Sequence, residues 1–174
     1  MKDKNSISSP CTWSMGVTVI TAIIIIILAA STYFIWSDDF PSSMLWLKYT
    51  LIVVFIATII GGLGYMPIRL TIGNDKIILH RLFGAINIPI KDIIEIKAIE
   101  SSETAFSIRI FGSGGLFGYL GKFKNKKLGH YTMYATDINE LILISTDRKT
   151  YVLSCKNRVG LIESVKLRND EIYH

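Results

Sequence analysis

Ala22-Ile23-Ile24-Ile25-Ile26-Ile27-Leu28-Ala29-Ala30 is the centre of an apolar run from Val17 to Ile35, and no charged residue stands between Lys4 and Asp38. A second apolar run, Tyr49 to Met66, follows a short loop. A helix rises about 1.5 Å per residue and the bilayer hydrocarbon is about 30 Å thick, so each run is long enough to cross it. The pattern predicts a hairpin of two transmembrane helices, over about residues 17–36 and 46–66. A tail, 1–16, precedes it and a single domain, 67–174, follows. Val17 to Ala30 also fits a signal-peptide core with Ala29-Ala30-Ser31 as a poor cleavage site. Against that, apolar character continues through Tyr33, Phe34, Ile35 and Trp36.

Charge sets the expected orientation. Lys2 and Lys4 precede the first run, and Arg69, Lys76 and Arg81 follow the second. The connecting loop holds Asp38 and Asp39 and neither Lys nor Arg. The positive-inside rule then puts both termini in the cytoplasm and the loop outside, in a multi-pass protein of the cytoplasmic membrane. Lys48, just inside the second predicted helix, can snorkel to the outer interface. Trp36 and Trp46 bracket the loop, and Trp13 and Tyr65 mark the inner ends, as interfacial belts require. Ala57, Gly61 and Gly64 share one face of the second helix. Small residues so spaced permit close backbone approach, either to a second copy or to the chain's own first helix.

The chain has 174 residues and a net charge of +5, all of it in the segment after residue 66, which carries 16 Lys and Arg against 11 Asp and Glu. A modest excess of this kind suits an anionic membrane surface and gives no sign of nucleic-acid binding. Pro67 ends the second helix, because its ring and missing N–H cannot continue the ladder. No flexible linker follows, so the domain is expected to rest against the membrane.

Short β-branched, alternating segments come next: Ile68 to Ile72, Lys76 to Leu82, Ala85 to Pro89, Ile94 to Ile99, Ser107 to Phe111 and Tyr131 to Thr136. Glu140 to Ser145 and Thr150 to Leu153 form a hairpin around Thr146-Asp147-Arg148-Lys149. Asn157 can cap a helix over about Arg158 to Arg168, with Val159, Leu161, Ile162 and Val165 as its apolar stripe. Seven or eight antiparallel strands and one closing helix are expected, the helix covering the open end of a bent sheet.

Two spans followed by a strand-rich domain that ends in a helix resemble the bacterial membrane proteins that carry a pleckstrin-homology-like (PH-like) domain. The stretch from Arg109-Ile110-Phe111-Gly112-Ser113-Gly114-Gly115 to Leu116-Phe117-Gly118-Tyr119-Leu120-Gly121 is similar to a segment of that family. So is Lys126-Lys127-Leu128-Gly129-His130-Tyr131-Thr132-Met133-Tyr134-Ala135-Thr136-Asp137. The resemblance covers most of residues 67–174. It implies a small PH-like antiparallel sandwich or barrel closed by a C-terminal helix, and it is silent on activity.

The segment Gly112 to Gly129 holds six glycines, with Leu116, Phe117, Tyr119, Leu120 and Phe123 among them and Lys122, Lys124, Lys126 and Lys127 behind. Read as a loop, it offers its aromatics two destinations. Leu116, Phe117 and Tyr119 can dip among headgroups with the four lysines attracting anionic lipid, or they can pack in the domain's own core. Phosphate-loop patterns fail here, since Phe117 and Phe123 stand where glycine or Ser/Thr is needed. His80, His130 and His174 lack metal-ligand spacing. Asp75, Asp92, Asp137 and Asp147 fall at turns. Cys11 precedes the apolar run rather than following it, unlike a lipoprotein cysteine, and Cys155 is expected to be an inert core thiol. No catalytic residue, metal ligand or cofactor is expected. The function expected is a non-enzymatic binding or scaffolding module at the inner membrane surface, with a protein partner or anionic lipid as ligand. An accessory subunit docking through its helices and an uncharacterised enzyme are the alternatives.

Overall fold

A helix that is apolar on every face has no stripe to bury against its own chain. Helices α1 (Met15–Ser37) and α2 (Leu45–Tyr65) accordingly stand almost uncovered: 6% of the most apolar window of the first is buried and 0% of the second. The structure, a computed structural model, describes residues 7–37 and 41–173, with side chains as far as 169. Lys2, Lys4, Asp38, Asp39 and His174, which the orientation and charge arguments use, lie outside the described residues. Both helices are long and apolar enough to cross a membrane, with mean hydropathy of 2.4 and 2.0. Lys48 turns its ammonium onto the end of α1, donating to the Trp36 carbonyl at 2.8 Å, where the helix leaves its last carbonyls unsatisfied.

The rest of the chain is a β-sandwich-like pair of sheets with a C-terminal helix, and the sheets do not close into a barrel. Strands β1 (Ile7–Pro10), β2 (Pro67–Ile72), β3 (Lys76–Arg81) and β4 (Ala85–Pro89) form one sheet in that order. The second sheet runs β5-β9-β10-β8-β7-β6, from β5 (Ile93–Ile99), β6 (Ile108–Gly115), β7 (Gly118–Asn125), β8 (Gly129–Ala135), β9 (Leu141–Thr146) and β10 (Thr150–Ser154). A single helical turn, α3 (Ser101–Thr104), links β5 to β6, and α4 (Arg158–Tyr173) closes the chain. Leu70, Ile72, Ile77 and Leu79 meet Ile142, Ile144 and Leu153 between the sheets, with Leu161, Ile162 and Val165 of α4 over one end. The opposite face of the larger sheet holds a second core around Phe123, Tyr131, Met133 and Val152.

Four expectations need correction. Ile7–Pro10, placed in a tail, is a strand paired antiparallel with β2, Pro10 opposite Arg69. A four-residue run with two serines and a proline carries too little alternation to be recognised alone; its partner, Arg69 to Ile72, lies beyond both helices. The domain is not purely antiparallel, because β10 pairs with β8 in parallel. Gly112 to Gly129 is not a loop. Its greater part is a hairpin of β6 and β7, in which Gly112 faces Gly121 so closely that a Cβ on either would overlap the opposite backbone. Both have positive φ, at 111° and 125°, so glycine here is what lets the strands meet, whereas the sequence pattern made it look like a break. Val159 is exposed rather than part of the buried stripe, while Asn157 does cap α4 through its Oδ1, which accepts from the Gly160 N–H at 3.3 Å.

Candidate functional site

The two-residue turn of the β6–β7 hairpin, Leu116-Phe117, reaches the place where α1 begins and α2 ends. Phe117 takes a left-handed φ of 58°, a conformation that costs a bulky residue energy unless its surroundings hold it there. They do. Its N–H donates to Thr21 Oγ1 of α1 at 3.0 Å, and that hydroxyl is itself buried. Its ring lies over Gly62 of α2, where any Cβ would overlap it, and meets Trp13 edge-on at 6.4 Å. Phe117 is 1% exposed. It enters neither headgroups nor the sandwich core; it wedges between the chain's own two helices.

A second wedge repeats the device. Phe83, in the β3–β4 turn, covers Gly64, which has no room for a Cβ, and its N–H donates to the Gly64 carbonyl at 2.8 Å. The chain around α1 is fastened as well. Ser14 N–H donates to the Thr136 carbonyl at 2.9 Å, and Thr136 Oγ1 donates to the Thr12 carbonyl at 2.8 Å. Trp13 Nε1 donates to Met66 Sδ at 3.1 Å.

Beside the Phe117 wedge lies an open groove of about 500 Å³. One wall is a stripe of α2 at helical spacing: Thr58, Gly61, Gly62 and Tyr65. The other is the β6–β7–β8 part of the larger sheet, with Leu120 and Lys122 of β7 and Thr132 and Tyr134 of β8. Leu116 lies at its foot. The lining is mainly apolar, and it contains one cation, Lys122, and neither Asp nor Glu. A second cation stands behind it: the Arg81 guanidinium is held between Tyr65 and Tyr134, 5.4 and 5.2 Å from their ring centroids. Such stacking keeps a charged group beside apolar surface without an acidic partner.

The residues singled out from sequence separate here. Leu116, Phe117 and Lys122 come together at the groove. Tyr119 points to the other face of its strand, against the core around Phe123. Lys124, Lys126 and Lys127 are exposed, but the latter two lie in the β7–β8 turn. β7 is eight residues long. That distances them from Phe117 by about 25 Å at about 3.3 Å per residue, well beyond a Debye length of about 8 Å. Lys126 and Lys127 therefore stand away from the tip. Of the small-residue face, Gly64 is taken up by Phe83, Ala57 is exposed, and a Cβ on Gly61 would meet nothing within 4 Å. Residues of α2 that come near α1 are instead Ile52, Phe55 and Ile59. Gly62, Thr21 and Arg81 were not legible as site residues. Thr21 carried one signal, as a polar side chain in an otherwise apolar stretch.

Among the described residues no group of three or more His, Cys, Asp or Glu is placed to hold a metal ion. No curated protein and no solved structure matches the chain significantly. The family model described as "Bacterial PH domain" matches residues 68–169, which is β2 through most of α4 and more than half of the chain. The chain belongs to the bacterial PH domain family.

Proposed function

We propose that this protein is a membrane-anchored, non-enzymatic binding module, in which a helical hairpin crosses the bilayer and holds the PH-like head against the inner face. PH domains are in the main binding modules without enzymatic activity. The observation that carries the reading is the fastening of head to hairpin: Phe117 on Gly62, Phe83 on Gly64, and β1 paired to β2 across the base of both helices. A head so fixed presents one defined surface to whatever surrounds the helices. Helices this apolar and this uncovered call for lipid around them. Leu82 and Phe83, exposed at the turn beside the end of α2, supply apolar contact at the same level. Arg69 and Lys76, in the first strands after α2, favour the cytoplasmic side. Anionic lipid is the ligand this surface favours.

The test is site-directed labelling in intact cells. A cysteine placed at Ser43 between the helices is expected to react with a membrane-impermeant maleimide added outside, and one at Lys126 to react only after lysis. Labelling in the opposite sense would reject the inner-face assignment.

A protein partner is the second reading, favoured by strand β6. It is an edge of the six-stranded sheet, and Ile108, Ile110 and Phe111 on it are exposed. An unpaired apolar edge of this kind can accept a further strand. Ile110→Lys would abolish such pairing, seen as a loss of the larger species in detergent, and an unchanged size distribution would remove this reading.

A further inference from the structure

We propose that the groove between α2 and the β6–β7–β8 face is a binding site for one anionic phospholipid of the surrounding leaflet, its acyl chain along α2 and its phosphate at Lys122. The inference rests on the membrane placement proposed above. Four observations lead to it. The groove's volume of about 500 Å³ lies in the range of small-molecule ligand sites, enough for part of a lipid. Its α2 wall, from Thr58 to Tyr65, belongs to a helix otherwise apolar and uncovered, so the groove is continuous with the surface where acyl chains lie. Gly61 lines it, and open space stands where its side chain would be, so the channel is unfilled along that part of α2. Charge runs one way: Lys122 on the lining, Arg81 behind Tyr65 and Tyr134, and no carboxylate among the lining residues.

A phospholipid fits this better than a peptide. An extended peptide would bring backbone polar groups against a wall whose apolar residues cannot satisfy them, whereas an acyl chain asks for none. The single cation at the rim suits one phosphate. Its aromatic neighbours Tyr65 and Tyr134 are of the type that lies at headgroup level.

Gly61 provides a clean probe. It lines the groove, and a Cβ there meets nothing within 4 Å, so Gly61→Leu fills the channel without displacing any protein atom at the point of attachment. The full chain is extracted from membranes and examined by native mass spectrometry in detergent mixed with equal phosphatidylglycerol and phosphatidylcholine. The wild type is expected to retain one phosphatidylglycerol per chain. Gly61→Leu is expected to lose it. Lys122→Gln, a change at an exposed side chain that leaves the channel open, is expected to lower the preference for phosphatidylglycerol over phosphatidylcholine about fivefold, the effect of one surface cation. Lys126→Gln, four residues and so about 13 Å from Lys122 at about 3.3 Å per residue, lies beyond a Debye length of about 8 Å and should leave the preference nearly unchanged. Equal retention by wild type and Gly61→Leu, retention without headgroup preference, retention of free fatty acid in place of phospholipid, or a second copy of the chain in place of lipid would each overturn the proposal. Correct labelling at Ser43 and Lys126 together with any of these results sinks the lipid site alone. Reversed labelling sinks the membrane placement itself.

Discussion

Two adjacent glycines in α2 have opposite roles, and that contrast can be measured. Gly62 has the Phe117 ring where its Cβ would be, while Gly61 faces open space. Gly62→Ala is expected to destabilise by about 1–3 kcal/mol, the range for overfilling a packed site. Gly61→Ala should be neutral or stabilising by up to about 1 kcal/mol, because alanine is the better helix former. Thermal midpoints in detergent would show the difference, and equal midpoints would deny the wedge. Phe117→Ala should cost about 3–5 kcal/mol, as deleting a buried aromatic does. The buried thiols give a pH dependence. Burial, with Cys155 beside it, pushes the Cys11 thiol up to about 12 from an ordinary 9.0, and burial likewise raises Cys155. Below pH 9 both thiols are protonated, folded or unfolded, so they contribute no slope. Above that value the unfolded chain releases protons that the folded chain retains, so stability falls as pH rises, by up to about 1.4 kcal/mol per unit for each thiol. The midpoint should drop as pH rises above about 9 toward about 12, and Cys11→Ala should flatten the slope.

Strand β1 belongs to the head although it precedes both helices. Its Ser9 Oγ accepts from the Asn157 N–H at 3.2 Å, and the Pro10 carbonyl accepts from the Lys156 N–H at 3.3 Å, so it also touches the start of α4. Deleting residues 1–10 should lower stability by about 2–4 kcal/mol, since it opens the edge of β2 and strips cover from Leu70 and Ile72, both 0% exposed. A midpoint equal to that of the full chain would show β1 to be dispensable. Much at this scale was legible in the sequence, and what was not had physical reasons. The helices, β2 to β4, the β9–β10 hairpin and the Asn157 cap follow from apolar length, β-branched alternation and turn chemistry, which are local signals. β1 was hidden because its only reason to be extended is a partner far along the chain. β7 was hidden because glycines that permit close strand pairing look, in sequence, like glycines that break strands. The groove was invisible for a related cause: it is made of surfaces from four separate elements, which no local pattern brings together.

The chain as a whole behaves as one body if the wedges hold. Nitroxide labels at Ser43, between the helices, and at Lys126, in the far turn of the head, should give a narrow distance distribution in nanodiscs. Phe117→Ala should broaden it, and a wild-type distribution already broad would mean that head and hairpin move independently. The pairing of β1 with β2 also imposes an order of events during synthesis. The ribosome delivers Ile7–Pro10 before either helix and Pro67–Ile72 after both. At about 5–20 residues per second, the first strand waits roughly 3–12 s for its mate. It can be joined only once the two intervening helices have doubled back, so completion of this sheet is a built-in receipt for the helical hairpin, and a nascent chain stalled between its helices cannot assemble a finished head.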